Sequence, residues 1–215
     1  MDFSIIPDFF LHLDKYLTII FSTLGIWTYV LLFFVIFAET GLIIFPFLPG
    51  DSLLFAIGAF AALGYVDLTI ILVLLFIAAI VGDSVNYAVG KYFGQKIVDN
   101  PKIPINQEHI DQTQAYYHKN GGKTIILARF IPIIRTFAPF VAGVSKMRYK
   151  DFMLFNVVGA FVWVFGFILV GYFFGNLPGI KENIEYAIFG LIALSLLPVL
   201  FEYLHVKYKI HKEKK

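Results

Sequence analysis

The chain has 215 residues, 59% of them hydrophobic and 18% aromatic, and its mean hydropathy of +0.80 lies far above that of a soluble domain. A formal charge of +2 is too small to point to nucleic acid, and the absence of cysteine excludes a disulfide framework, a thiol nucleophile and a thiolate metal site. The composition predicts an all-α polytopic integral membrane protein.

In chain order, residues 1–16 lack a basic leader, and within them Asp8, His12 and Lys15 oppose Phe9, Leu13 and Tyr16, the pattern of an amphipathic helix lying in the interface. Residues 17–38 carry no charge. At 1.5 Å per residue they form about 33 Å of helix, enough to cross a hydrocarbon core of about 30 Å. This first span is expected to act as an uncleaved anchor. The apolar run at 39–63 opens with Glu39 and is broken in its middle by Pro46, Pro49 and Gly50, which deliver Asp51 at the break. Each proline removes a backbone donor and clashes with the preceding turn, so the run is expected to form a re-entrant hairpin with its tip near the midplane.

Residues 68–90 can span again, interrupted by Gly82 and Asp83, with Asn86 and Tyr87 one turn further along the same face. Residues 91–123 read as a cytoplasmic loop, punctuated by Pro101, Pro104 and Gly121-Gly122. Residues 124–145 repeat the earlier logic with opposite charge, as a second re-entrant hairpin broken at Pro132 and Pro139 and carrying Arg129 and Arg135. Spans at 152–174 and 186–203 and a basic tail at 204–215 complete the single membrane domain, 17–203. Of the 17 lysines and arginines, 13 fall in 91–123, 146–150 and 207–215. The positive-inside rule makes that face cytoplasmic, with both termini inside and the hairpins entering from opposite sides.

Gly90-Lys91-Tyr92-Phe93-Gly94 returns as Gly171-Tyr172-Phe173-Phe174-Gly175, and Pro49 and Pro132 are 83 positions apart. Each half is then a Pro-broken hairpin followed by a span, and the odd number of crossings between them makes the repeat inverted, an architecture of transporters.

A charge at the bilayer centre costs roughly 2.5–3.5 kcal/mol, so Glu39, Asp51, Arg129 and Arg135 together would cost about 10–14 kcal/mol unpaired. Two readings follow. In one, the acids and arginines form static salt bridges that clamp the hairpins; buried ion pairs, however, are weak stabilisers. In the other, the planar forks of Arg129 and Arg135 bind a phosphate, while Glu39 and Asp51 exchange protons and release the arginines. Asp51 equally suits the cap of a helix starting at Gly50, and Asp83, Asn86 and Tyr87 read either as a polar path or as a hydrogen-bonded packing triad. His12, His109, His118, His205 and His211 share no metal-ligand spacing, so no metal site is expected. Trp27 and Trp163 lie in apolar spans and read as packing or lipid-facing residues.

The segments Glu39-Thr-Gly-Leu-Ile-Ile-Phe-Pro-Phe-Leu-Pro-Gly-Asp51-Ser and Ala-Arg129-Phe-Ile-Pro-Ile-Ile-Arg135-Thr-Phe-Ala-Pro, with Gly-Asp-x-x-Asn-Tyr-x-x-Gly-Lys at 82–91 between them, resemble the signature segments of the DedA family, part of the VTT superfamily. The resemblance runs from about Trp27 to Phe201. It implies a bacterial inner-membrane protein with re-entrant hairpins and dependence on the proton-motive force. For some members it implies translocation of undecaprenyl phosphate, and distant eukaryotic relatives are lipid scramblases. Carried over by motif, the required acids are Glu39 and Asp51 and the required arginines Arg129 and Arg135. Lys91 stands where many relatives carry arginine.

The function expected is proton-dependent translocation, flippase- or scramblase-like, of an anionic lipid headgroup, undecaprenyl phosphate or a phospholipid. The alternative is a proton-coupled transporter or antiporter of a small soluble solute. Enzymatic activity is not expected, because no histidine lies near the arginine segment. The partners are membrane lipids, with no nucleic acid and no cofactor beyond the proton gradient; the oligomeric state stays open, a homo-oligomer included.

Overall fold

The computed structural model describes residues 23–42, 50–98, 113–115, 117 and 119–181. No strand occurs among the described residues. The helices are α1 (Ile26–Gly41), α2 (Gly50–Ala62), α3 (Leu68–Val98), α4 (Thr124–Ala128), α5 (Pro132–Val144), α6 (Tyr149–Gly175) and α7 (Pro178–Lys181), and the described residues between 113 and 120 are helical as well. The interfacial helix expected at 8–16, the breaks at Pro46 and Pro49, all five histidines, the span at 186–203 and the tail lie outside the described residues.

Two helical stretches, Leu68–Gly94 and Tyr149–Gly175, are apolar over 27 residues each, about 40 Å of helix against a hydrocarbon core of about 30 Å. Along α3 the exposed face is Ile70, Val73, Ile77, Val81 and Val85, while Ile71, Leu75, Ala78, Ala79, Asp83 and Asn86 are buried. In α6, Leu154, Val158, Phe161 and Val162 are exposed, and Asn156, Ala160, Trp163 and Val164 are buried. Apolar residues outside and polar residues inside are the arrangement a hydrocarbon solvent demands, since only protein can satisfy the polar groups.

The chain divides into two compact units, and α6 contributes to both: its residues up to Gly166 belong to one, those from Phe167 to the other. In the unit that holds α1, α3, α4, α5 and the start of α6, glycines bring backbones into contact. A Cβ at Gly90 would lie 2.1 Å from the Phe140 carbonyl oxygen, one at Gly143 2.1 Å from that of Tyr87, and one at Gly94 2.5 Å from Val144 Cγ2. The unit that holds α2 and the end of α6 repeats the contact. There a Cβ at Gly171 would lie 2.0 Å from the Phe55 carbonyl oxygen, one at Gly58 2.1 Å from that of Ile168, and one at Gly175 2.8 Å from Ala59 Cα. The same pattern, Phe-x-x-Gly against x-x-Gly-x-x-x-Gly, therefore locks α5 onto α3 and α2 onto α6. Where α1 crosses α3, a Cβ at Gly82 would lie 1.9 Å from Thr40 Oγ1.

Three boundaries differ from expectation. α1 runs through Gly41, so Glu39 sits in its last turn instead of following the span. α3 continues to Val98, making 91–98 helical where a loop was expected; no helix breaker intervenes before Pro101. The second broken segment breaks once, at Arg129–Ile131 between α4 and α5, whereas Pro139 lies inside α5. α4 ends in tight bonds, Phe130 N to Leu127 O and Ile131 N to Ala128 O. Pro132 then occupies the first turn of α5, where its missing N–H costs nothing. Pro139 withholds one N–H from the Arg135 carbonyl four residues back, and α5 continues because its Gly143 face is seated on α3.

Candidate functional site

The end of α1, the middle of α3 and the break between α4 and α5 bring together a buried charge cluster. Glu39 comes from the last turn of α1, Asp83 from α3 beside the Gly82 crossing, Arg129 from the break after α4, and Arg135 from the first turn of α5. Arg135 Nη2 donates to Glu39 Oε1. Arg129 Nη2 donates to Asp83 Oδ2 at 2.5 Å and to Asn156 Oδ1 at 2.6 Å. All four charged residues are at most 7% exposed, and among the described residues of this unit two acids balance two arginines. That removes most of the penalty an isolated charge would meet in hydrocarbon.

Neutral residues hold the pairs in register. Asn86 Nδ2 donates to the carbonyls of Thr40 at 3.2 Å and Thr136 at 2.9 Å, the immediate neighbours of Glu39 and Arg135. It thereby caps one of the last α1 carbonyls, which lack a helical partner. Asn156 Nδ2 donates to Ile80 O at 3.1 Å, anchoring α6 to α3. The Trp163 ring, fully buried, lies 5.6 Å from Arg129 Cζ and 5.2 Å from Arg135 Cζ, so one indole face region serves both cations. Gly159 leaves the slot for Arg129, since a Cβ there would stand 3.1 Å from Nε.

Arg129 Nε and Nη1 and Asn86 Oδ1 are buried with no hydrogen-bond partner among the described residues. A guanidinium carries five donors in a planar fork. Here Nη2 is fully engaged by Asp83 and Asn156, which leaves the donors on Nε and Nη1 available for an acceptor. The N-terminus of α5 begins three residues beyond Arg129 and adds its positive dipole end.

Asp51 is half-buried in the first turn of α2, which starts at Gly50, and belongs to the other unit; an acid there suits the helix dipole. Tyr87 stacks on Phe152 with centroids 4.5 Å apart, donates its hydroxyl to the Met147 carbonyl, and belongs to an apolar cluster with Ile125, Ala128, Ala138 and Ala142. Arg129 is partnered by Asp83, whereas the sequence reading set the arginines against Glu39 and Asp51. Trp163, read as packing or lipid-facing, sits on both guanidinium groups, while Trp27 is 66% exposed. Asn156, Gly159 and Trp163 were missed by sequence reasoning; the signal available was that Asn156 is the one amide side chain between Phe152 and Gly175. Among the described residues no group of three or more His, Cys, Asp or Glu side chains is placed to hold a metal ion.

At the C-terminal end of α5 a cavity of about 530 Å³ is lined by Gln114, Tyr117, Gly121, Gly122, Ala142, Ser145 and others. Tyr117 donates to the Ala138 carbonyl at 2.9 Å. Burial pushes its phenol pKa up, and the negative charge of Asp83 pushes it further.

Comparison with known proteins adds the lineage. Residues 48–173 match the VTT domain. Protein DedA of Escherichia coli is 50% identical over 203 residues, 93% of both chains. The chain belongs to the DedA family of membrane proteins. Within that family it is also similar to an uncharacterized membrane protein of Mycobacterium leprae, 39% identical over 80% of this chain and 77% of the relative. The inner membrane protein YqjA of Escherichia coli is 33% identical over 80% of this chain and 77% of its own. No solved structure matches the chain. The VTT match takes in Asp51, Asp83, Arg129, Arg135, Asn156 and Trp163, and Glu39 lies just before it.

Proposed function

We propose that this DedA-family protein is a proton-motive-force-dependent translocase that moves the anionic headgroup of a lipid, undecaprenyl phosphate or a phospholipid, across the membrane while the tail stays in hydrocarbon. In this reading residues 39–63 and 124–145 are re-entrant hairpins of an inverted repeat, the chain is multi-pass in a bacterial inner membrane, and both termini are cytoplasmic. The repeated glycine contact and the break at Arg129–Ile131 support that topology.

The observation that carries the reading is Arg129, a fully buried guanidinium with two nitrogens that lack partners among the described residues, beside Arg135 on the same indole. A phosphate oxygen is the acceptor that such a fork fits best. In the two pairs each acid balances its arginine at rest, so an anion enters at low electrostatic cost only when an acid takes up a proton. Protonating Glu39 would remove the counter-charge of Arg135, and Asp51 would exchange protons on the other hairpin. Coupling of proton and phosphate then follows from charge balance.

The test is purified protein in liposomes with labelled polyprenyl phosphate, following loss of label from one leaflet with and without a pH gradient. Gradient-dependent loss above empty liposomes is expected. Uptake of a soluble anion without lipid movement would instead favour the small-solute transporter.

A further inference from the structure

We propose that Asp83 is a proton-exchanging group of this protein, reached by water through the cavity beside Tyr117, and that its protonation hands Arg129 to Asn156. The inference rests on the translocase reading for its purpose but not for its geometry. Arg129 Nη2 is shared between a charged acceptor, Asp83 Oδ2, and a neutral one, Asn156 Oδ1, at nearly equal distances. When a proton from water adds to an Asp83 carboxylate oxygen, the ion pair loses its negative member and the hydrogen bond to Asn156 remains. The arginine therefore keeps its place while its charge becomes available to a phosphate, and when the anion leaves the proton returns to water. A lone acid partner would instead let the guanidinium swing away.

Access is the second element. Tyr117 lines the cavity and also feels the charge of Asp83, and Gln114 and Ser145 place polar groups in a lining that is otherwise largely apolar. A volume of about 530 Å³ far exceeds the roughly 10–15 Å³ that one water needs by such a measure. The groups around Asp83 are Arg129 after α4, Arg135 on α5, Glu39 on α1, Asn156 on α6 and Tyr117, with Tyr87 one turn along α3. Glu39, paired with Arg135, is the acid of the other ion pair described here, so Glu39→Gln leaves the Asp83 pair to be titrated.

Trp163, against both guanidinium groups, reports the event. In protein carrying Trp27→Phe and Glu39→Gln, Trp163 is the remaining tryptophan, and its emission is titrated against pH. One sigmoidal step is expected; adding Asp83→Asn should abolish it, and Asp83→Glu should keep it. Persistence of the step in Asp83→Asn overturns the proposal. Because the chain has no cysteine, Ser145→Cys in otherwise native protein tests access independently: rapid reaction with a water-soluble methanethiosulfonate is expected, and an unreactive thiol overturns the water route. An Asp83 step without lipid movement in liposomes leaves this site standing and removes the translocase reading; lipid movement without an Asp83 step does the reverse.

Discussion

Glu39 and Arg135 illustrate how a buried ion pair differs from an exposed one. Removing either partner strands a charge, a cost of about 3–5 kcal/mol for a buried pair, whereas removing both strands none. Glu39→Ala and Arg135→Ala should each lower the thermal midpoint in detergent, and the double variant should be less destabilised than the sum of the two; additive losses would mean the pair is not formed. Arg135→Lys should preserve folding and lose most phosphate binding, because a point charge cannot reproduce the fork. Binding of inorganic phosphate or labelled lipid phosphate at native strength would remove bidentate recognition from the account. The charged members of the site were legible because a charge in an apolar run is expensive and stands out. The pairing was not, because whether Arg129 meets Asp83 or another acid depends on how α3 is registered against the break after α4. Asn156 and Trp163 left little trace, since a neutral amide and an indole cost an apolar span far less than a charge.

At the scale of helices, glycine decides how close the backbones come. A Cβ at Gly90 or Gly171 would stand 2.1 or 2.0 Å from a carbonyl oxygen of the opposing backbone, and backbone cannot yield as a side-chain tip can. Overpacking of this kind typically costs about 1–3 kcal/mol and sometimes more. Gly90→Ala and Gly171→Ala should therefore both destabilise the protein, while Gly166→Ala, where nothing lies within 4 Å, should be neutral or stabilising by about 0.5–1 kcal/mol from helix propensity. Equal effects at all three positions in a thermal-shift series would contradict the interlock. The repeated Gly-aromatic-Gly signature was visible in the sequence, but its partners were not. Phe55-x-x-Gly58 and Phe140-x-x-Gly143 are ordinary apolar runs until packing shows what they face. Two prolines of one segment also differ in effect: Pro132 opens α5 after a break, whereas Pro139 lies inside it, because a proline in a seated helix removes a bond without ending the helix.

For the whole molecule, composition and exposed apolar faces on α3 and α6 made a membrane protein readable before any comparison. Orientation is a separate matter, and the absence of native cysteine makes it directly testable. With both termini inside, Asp67→Cys should react with an impermeant thiol reagent added outside intact cells, and Lys146→Cys only after permeabilisation; the reverse pattern would invert the proposed topology. The central claim is translocation, and the most direct measurement is leaflet accessibility of labelled polyprenyl phosphate in liposomes holding native protein or the Arg129→Ala variant. The account predicts gradient-dependent loss of accessible label with native protein and none with Arg129→Ala. Label that stays in its original leaflet with native protein, or that moves equally with the variant, would contradict it.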